Sequence, residues 1–526
     1  MLWIAVHLPQ LSLESFAATL DDATRARPLA LIDAHRITQV DARAAAAGVR
    51  SGTKRATALA LAADLVLGQA DALRDALALQ TVGHAALAFT PMVCIESTDS
   101  AGTSTPVVLL EVQSSLRCFG GLHALIEGLH HALQPLQHVC RIATAPTALG
   151  AALLARWRDD LVHGAHSTDL AALRRLLDGA PVWLLGPGRE HWEALQGMGL
   201  RQLSDLRHLP RAGLARRFGT ALLADLDRAR GDAPDPREPI ELPPRFEQRI
   251  ELFTRADTAE QMMAGARVLI ERLLAWARAR HARVAAFTLH MHHEARRQRV
   301  VDASELAIGL AEPSADAAHL QSLLAERLAR TPLAAPALEL SLRCDRWVQA
   351  AAPNAELFPT RGSEREGLTR LIERLQARLG ADGVQRLALQ DDHRPERAIV
   401  WRPADAALLP EGGAMPASEA VMRFTAREPA PALSPRIAAA PQRPLWLLNE
   451  PQPLPERASR PWLDGAPLQL LAGPERIESG WWDGALAARD YFIARADDGA
   501  LVWVFRARLP LAVTDGTGWF LQGRFA

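Results

Sequence analysis

Two short apolar runs, one within Met1 to Glu14 (MLWIAVHLPQLSLE) and one opening Val107 to Gly121 (VVLLEVQSSLRCFGG), read as buried strands. Residues 1–20 read as a strand and the start of a helix, and Pro28 to Asp41 as paired strands. Ala42 to Leu67 is Ala-rich and helical in pattern, broken by Gly48-Val49-Arg50-Ser51-Gly52. Leu73 to Ala88 predicts a helix, Thr90 to Glu96 and Val107 to Val112 predict strands, Leu122 to Leu133 a helix and Arg141 to Ala145 a strand. This alternation predicts an α+β unit, a mixed sheet with helices on one face. From Pro181 to Gly231 the pattern is helical with Gly-containing turns, and the Pro-rich segment Asp232 to Arg245 blocks helix and ladder alike. Beyond it, Phe246 to Phe253, Val284 to His293 and Ala337 to Val348 read as strands, with helices at Thr258 to Arg280 and Ala315 to Thr331, a βαββαβ-like order. A helix is expected over Gly367 to Leu379. Ala414 to Arg460 is rich in Pro and Ala with little periodicity, which predicts a partly disordered tether.

At 526 residues the chain predicts several domains, using about 100–200 residues for each. No apolar run reaches the length of a membrane span (about 18 residues) and the start has no basic region ahead of a cleavage site, so a cytoplasmic, nucleoid-associated protein is expected. Cys94, Cys118, Cys140 and Cys344 lack Cys-x-x-Cys spacing, which argues against zinc or a disulfide framework. Net charge is −1, so the chain as a whole does not announce a nucleic-acid binder. Local charge says more: between Gln261 and Val300 lie Arg267, Arg272, Arg278, Arg280, Arg283, Arg296, Arg297 and Arg299 against Glu271 and Glu294. Lys54 is the single lysine, so cationic work falls to Arg, whose planar fork suits phosphate. Arg278, Arg280, Arg283, Arg296, Arg297 and Arg299 are the DNA-contact candidates. His290, His292, His293 and Glu294 suggest a metal, but strand alternation splits the histidines between two faces, and neither a metal nor a cofactor is expected.

These blocks resemble the Y-family translesion DNA polymerases, most closely their ImuB branch. Active members begin Asp-Met-Asp-x-Phe-Phe-Ala-x-Val-Glu. Aligning the final Glu with Glu14 puts the two metal-binding aspartates at Ala5 and His7 and the aromatic steric gate at Gln10. The second pattern, Ser-Ile-Asp-Glu-x-x-Leu-Asp-Val, puts its Asp-Glu pair at Pro106 and Val107 and its last Asp at Glu111. Phosphoryl transfer needs carboxylates holding two Mg²⁺ roughly 3.5–4 Å apart, and these positions cannot supply them. The Tyr-x-x-Arg triphosphate grip corresponds to Val40-Asp41-Ala42-Arg43, which keeps only Arg43, and both lysines of Pro-Asn-Lys-x-x-Ala-Lys read as Ala in Pro146 to Ala152.

The resemblance implies a right-hand architecture: palm (1–26 and 76–180), small fingers (27–75), helix-hairpin-helix-like thumb (181–231), linker (232–245) and little finger (246–400). A tether (401–460) and an aromatic β-rich C-terminal module (461–526) would follow. It also implies a clamp-binding loop near 350–362. Asn354-Ala355-Glu356-Leu357-Phe358 keeps the acidic-Leu-Phe end of a sliding-clamp peptide, and Gln442 to Trp446 is its rival. The block Leu387 to Ala398 resembles a further signature of the branch, with no physical role evident from sequence. In the tail, Trp481, Trp482, Tyr491, Trp503, Trp519 and Phe525 are candidate docking residues. The partners implied are primer-template DNA, the β sliding clamp, the RecA-like ImuA subunit and an error-prone C-family DNA polymerase. The expected function is a non-enzymatic hub of an SOS-type DNA damage response, in mutagenic translesion synthesis. Two alternatives stay open: an active polymerase with displaced carboxylates (Asp33, Asp41, Glu96 or Asp99), and a protein adaptor without DNA binding.

Overall fold

The computed structural model describes residues 1–96, 106–159, 161–162, 164–293, 303–333, 335–349, 361–404, 443–508 and 518–525, with 361–366 described for the backbone alone. It divides into two units, Met1–Arg378 and Leu379–Ala526.

In the first unit, β1 (Trp3–His7) is buried throughout and leads into α1 (Leu11–Ala17) and α2 (Asp22–Arg25). Next come β2 (Leu29–Asp33), β3 (Arg36–Val40), α3 (Ala42–Ala46), α4 (Arg55–Leu61) and β4 (Val66–Gln69). They form a small sheet, β3-β2-β4, in which β4 runs parallel to β2. The helical reading of Ala42 to Leu67 thus ends early, because Val66 and Leu67 join the sheet. Then follow α5 (Ala72–Ala86), β5 (Val93–Glu96), β6 (Val107–Glu111), α6 (Leu122–Leu133), β7 (Arg141–Ala145) and α7 (Ala148–Trp157). The central sheet has the order β5-β6-β1-β7, and β1 is antiparallel to both neighbours.

Alternation splits this sheet's side chains between two cores. Ile4, Val6, Val108, Leu110 and Ile142 pack on α5 and α6. Ala5, Val107, Leu109, Ala143 and Ala145 share a core with α7 and the helices after it. Those helices are α8 (Leu170–Asp178), α9 (Gly186–Glu190), α10 (Trp192–Gly197), α11 (Leu203–Arg207), α12 (Arg211–Phe218) and α13 (Thr220–Arg230). α7 meets α13 at Gly150, where a Cβ would stand 3.0 Å from the Ala229 carbonyl oxygen. The segment 232–245 lies along edge strand β5, with Ile240 donating to the Val93 carbonyl (2.8 Å).

The rest of this unit is β8 (Glu247–Ala256), α14 (Ala259–Ala279), β9 (Ala282–His293), β10 (Ala303–Ser314), α15 (Ala317–Arg330), β11 (Ala337–Gln349) and α16 (Arg361–Leu379). Its sheet has the order β10-β9-β11-β8. Thr258 and Gln261 close a capping box that starts α14, whose long apolar face covers one side of the sheet. Phe253 packs edge-on against Phe16 (5.3 Å), Arg267 pairs with Asp22 (3.1 Å) and Ala275 joins the core under α5, which ties this sheet to the central one.

The second unit opens with the hairpin β12 (Gln385–Leu389) and β13 (Ile399–Pro403). It continues with β14 (Trp446–Leu454), β15 (Glu456–Arg457), β16 (Arg460–Leu463), β17 (Ala466–Pro467), β18 (Gln469–Ser479), β19 (Ala487–Arg495), β20 (Leu501–Ala507) and β21 (Trp519–Arg524). The main sheet runs β14-β21-β20-β19-β18. Two expectations are corrected here. The β-rich module begins before 461, since β14 pairs with the last strand, so the tether reading is wrong for 446–460. Residues 379–400, expected with the little finger, fall in this second unit.

Candidate functional site: the paired ends of two buried strands

The register of β1 places His7 opposite Val107 on one side and Arg141 on the other, and Ala5 opposite Leu109 and Ala143. Ala5 and Val107 have no exposed surface. The Pro106 carbonyl accepts from Leu8 (3.2 Å), which closes the strand end. His7 is only 4% exposed, and neither ring nitrogen has a hydrogen-bond partner. Burial, with the charges of Arg156 and Arg141, lowers its pKa to about 4, so it is neutral near pH 7. Where two metal-binding aspartates were aligned there is thus an alanine and a neutral histidine beside two guanidinium groups.

Of the four alternative carboxylates, Glu96 and Asp41 are engaged elsewhere. Glu96 at the end of β5 accepts from Arg156 (2.8 Å) and Arg237 (3.3 Å). Asp41 caps α3 by accepting from Ala44 (2.7 Å), and Asp33 ends β2 with an exposed side chain. Asp99 lies outside the described residues. Glu111 accepts from the backbone of Leu2 (3.4 Å) and Gln113 (3.2 Å), a local structural role. Glu14 holds His138 (3.1 Å) and the Val139 amide (3.0 Å), anchoring the turn before β7. Gln10 is exposed at the start of α1, and Arg43 donates to the Arg25 carbonyl (3.0 Å). The two positions aligned with lysines, Ala148 and Ala152, are buried in α7. Among the described residues no group of three or more His, Cys, Asp or Glu is placed to hold a metal.

The arginine segment is brought together only in part. Arg296, Arg297 and Arg299 lie outside the described residues. Arg272 is buried and its pKa is lowered to about 10 by desolvation, while Arg267 is spent on Asp22. Arg280 stacks on Trp276 (4.9 Å) and Trp347 (5.6 Å), and Arg278 and Arg283 are half-buried at the same turn between α14 and β9. His290 contacts Glu305 (3.4 Å), His292 contacts Ser341 (2.8 Å) and His293 contacts Ser304 (2.7 Å), so each histidine has its own partner.

The clamp-binding candidate Asn354, Ala355, Glu356, Leu357 and Phe358 lies outside the described residues, as does Gln442 of its rival. In the C-terminal unit the docking set divides. Tyr491 stacks on Trp503 (4.1 Å) inside the core, and Trp519 is buried in the neighbouring core, so these three are corrected to packing residues. Phe525 is partly buried against the Tyr491 cluster. Trp481 and Trp482 are 78% and 55% exposed. Sequence reasoning also missed what holds that pair. Arg394 bonds Asp392 (2.6 Å) and Asp483 (2.7 Å) and lies 5.7 Å from the Trp482 ring. Arg397 reaches Asp483 (2.7 Å) and Glu396 reaches Arg489 (3.0 Å), so the block Leu387 to Ala398 is a charged clasp on the Trp481-Trp482-Asp483 turn. Its partners lie about ninety residues apart, and only the unexplained Asp-Asp-His-Arg-Pro-Glu-Arg run signalled it.

No helix among the described residues is long and apolar enough to cross a membrane. No family model matches the chain. Two curated relatives, each called Protein ImuB and from Caulobacter vibrioides strains NA1000 / CB15N and ATCC 19089 / CIP 103742 / CB 15, are 28% identical over 502 residues. The match covers 91% of this chain and 100% of each relative. Among solved structures the chain is similar to a Dbh ternary complex, at 15% identity and TM-score 0.37, covering 66% of this chain and 99% of that one. It is also similar to DinB from Sulfolobus solfataricus, at 15% identity and TM-score 0.36, covering 66% and 98%. The chain is thus similar to the ImuB proteins along nearly its whole length, at 28% identity.

Proposed function

We propose that this chain is a non-catalytic, polymerase-like hub that binds DNA and the sliding clamp during mutagenic translesion synthesis. One observation carries the reading: the strand ends that would hold two Mg²⁺ present Ala5, His7, Pro106 and Val107, while Glu96 beside them is ion-paired to two arginines. Kinship with ImuB supports the mutagenic role. In this reading the polymerase-like domains hold primer-template DNA and the 354–358 peptide engages the β clamp. The C-terminal unit recruits the RecA-like ImuA subunit and an error-prone C-family polymerase, raising the local concentration of the enzyme that extends the primer. Trp481 and Trp482 are the exposed aromatics of that unit best suited to docking.

Primer extension with purified chain, Mg²⁺ or Mn²⁺ and all four dNTPs, beside gel-shift on the same DNA, tests this. The expected result is a shifted primer-template without extension. Extension that survives purification and is lost in Glu96→Gln or Asp99→Asn would show an enzyme instead. No gel shift and no extension would favour the adaptor without DNA binding.

A further inference from the structure

The sheet β10-β9-β11-β8 has α14 and α15 packed on one face, and its other face is acidic. Glu247, Glu251, Glu305, Glu339 and Asp345 stand there against Arg249 and Arg343. Both arginines are engaged, Arg249 with Glu339 (3.2 Å) and Arg343 with Asp345 (2.8 Å). Such a face repels phosphate rather than attracting it.

The cations collect instead at one end of the sheet, where α14 turns into β9. Arg280 donates to the Pro243 carbonyl (2.8 Å) and lies over the rings of Trp276 and Trp347. Trp276 donates to the same carbonyl (2.9 Å) and meets Trp347 edge-on (6.1 Å). Trp347 is therefore backed by a fixed guanidinium and a buried indole, yet remains 37% exposed. Arg346 beside it and Arg245 at the end of the linker are exposed. Among the described residues Arg245, Arg280 and Arg346 form no ion pair; Arg283 is partly offset by Glu312 beside it, and Arg278 interacts with Glu271. A rigid, half-exposed aromatic ring under the Arg280 guanidinium, with Arg346 next in the strand and Arg245 preceding Phe246, whose carbonyl accepts from Cys344 (3.0 Å), matches what an unpaired nucleotide needs: a stacking surface for its base and cations nearby for its phosphates.

We propose that Trp347, with Arg346, Arg245 and Arg280, is a contact for single-stranded nucleic acid, and that the acidic face beside it disfavours duplex. This rests on the DNA-binding reading above and specifies where an unpaired strand would lie. The test is fluorescence anisotropy of the full chain with labelled oligo-dT and with a blunt duplex of equal length, between about 50 and 200 mM salt. Trp347→Ala is expected to weaken oligo-dT binding by about tenfold or more while changing duplex binding less than about twofold. Arg346→Glu is expected to weaken oligo-dT binding and to lower the salt slope by about 0.7 for each phosphate it no longer neutralises. Should Trp347→Ala melt earlier than wild type, Arg346→Glu, at an exposed position, decides the question. Unchanged oligo-dT affinity in a folded variant, or equal losses on both DNAs, overturns the assignment but leaves the DNA-binding reading standing. Failure of the wild-type chain to bind either DNA overturns both.

Discussion

Acid sensitivity offers a quantitative check on the buried, neutral state of His7. His7 and His84 are both buried, and each has its pKa lowered to about 4, by desolvation in both cases and by Arg156 and Arg141 in addition at His7. An unfolded histidine titrates near about 6.5. Above that pH both states are neutral and the full stability is present. As pH falls, the unfolded chain takes up protons that the folded chain refuses, so stability is lost between about 6.5 and 4. A shift of this size costs about 1.4 kcal/mol per histidine at pH 5.5, or about 3 kcal/mol for the pair. His7→Leu removes one such contribution and two unsatisfied ring nitrogens together. At pH 7.5 it is expected to be at least as stable as wild type. Urea unfolding at pH 7.5 and 5.5, followed by far-UV circular dichroism, should show the variant losing about 1.4 kcal/mol less than wild type between the two conditions. Equal losses would refute the buried, neutral assignment. Loss of damage-induced mutagenesis in a strain making normal amounts of the variant would show that His7 has a chemical role, against the inert-palm reading.

Introducing acids in the triple variant Ala5→Asp, His7→Asp, Val107→Glu is expected to lower the melting temperature without primer extension, since each site is buried and an unpaired carboxylate there costs several kcal/mol. In the C-terminal unit, hydrogen bonds from Arg394 hold Asp392 and Asp483 down at about 2. Their stabilisation is present above about pH 4 and fades as pH falls towards 2, whereas Arg394→Met should lose it already at neutral pH; Trp fluorescence against pH reads both. Trp503→Ala is expected to destabilise this unit by about 3–5 kcal/mol, while Trp481→Ala with Trp482→Ala should change stability by less than about 1 kcal/mol and, under the proposed docking role, abolish pull-down of ImuA and the C-family polymerase. Truncation after residue 459 should leave an insoluble product, because it strands β14 without β21; ending the chain at Arg378 should leave a soluble first unit.

The strands of the central sheet were legible because their signals are local, but the expected mixed sheet with helices on one face is corrected: every pairing in it is antiparallel and helices pack on both faces. Leu122 to Leu133 follows Gly120 and Gly121, both at positive φ, and that turn marks the helix start. Strand β4 was missed because Val66 and Leu67 form a run too short to tell from the end of a helix, and β10 because its Ala and Gly positions weaken the alternation. Pro451 and Pro453 made β14 look like a tether. As an edge strand it tolerates prolines, whose missing donors can face away from the sheet. Counting arginines could not reveal that Arg272 points into the core, nor could aromatic density separate Trp503 from Trp481. Both distinctions depend on which face of an element is covered, and that is set by residues far away in sequence.

The arrangement at β1 and β6 also bears on what the proposed non-catalytic role would leave to packing. A cluster of carboxylates at buried strand ends is held only by the metals it binds; without them, desolvation and like-charge repulsion act together against the fold. Ala5 and Val107 remove that cost and add apolar contact with the core built on α7, where Ala148 and Ala152 leave no long cations to bury. Under the proposed function, with phosphoryl transfer left to a partner, an apolar strand end is the lower-energy choice. The same argument predicts where polar chemistry should survive: at sites such as Trp347 and the Arg394 clasp, where charged and aromatic groups are held for contacts outside the apolar core.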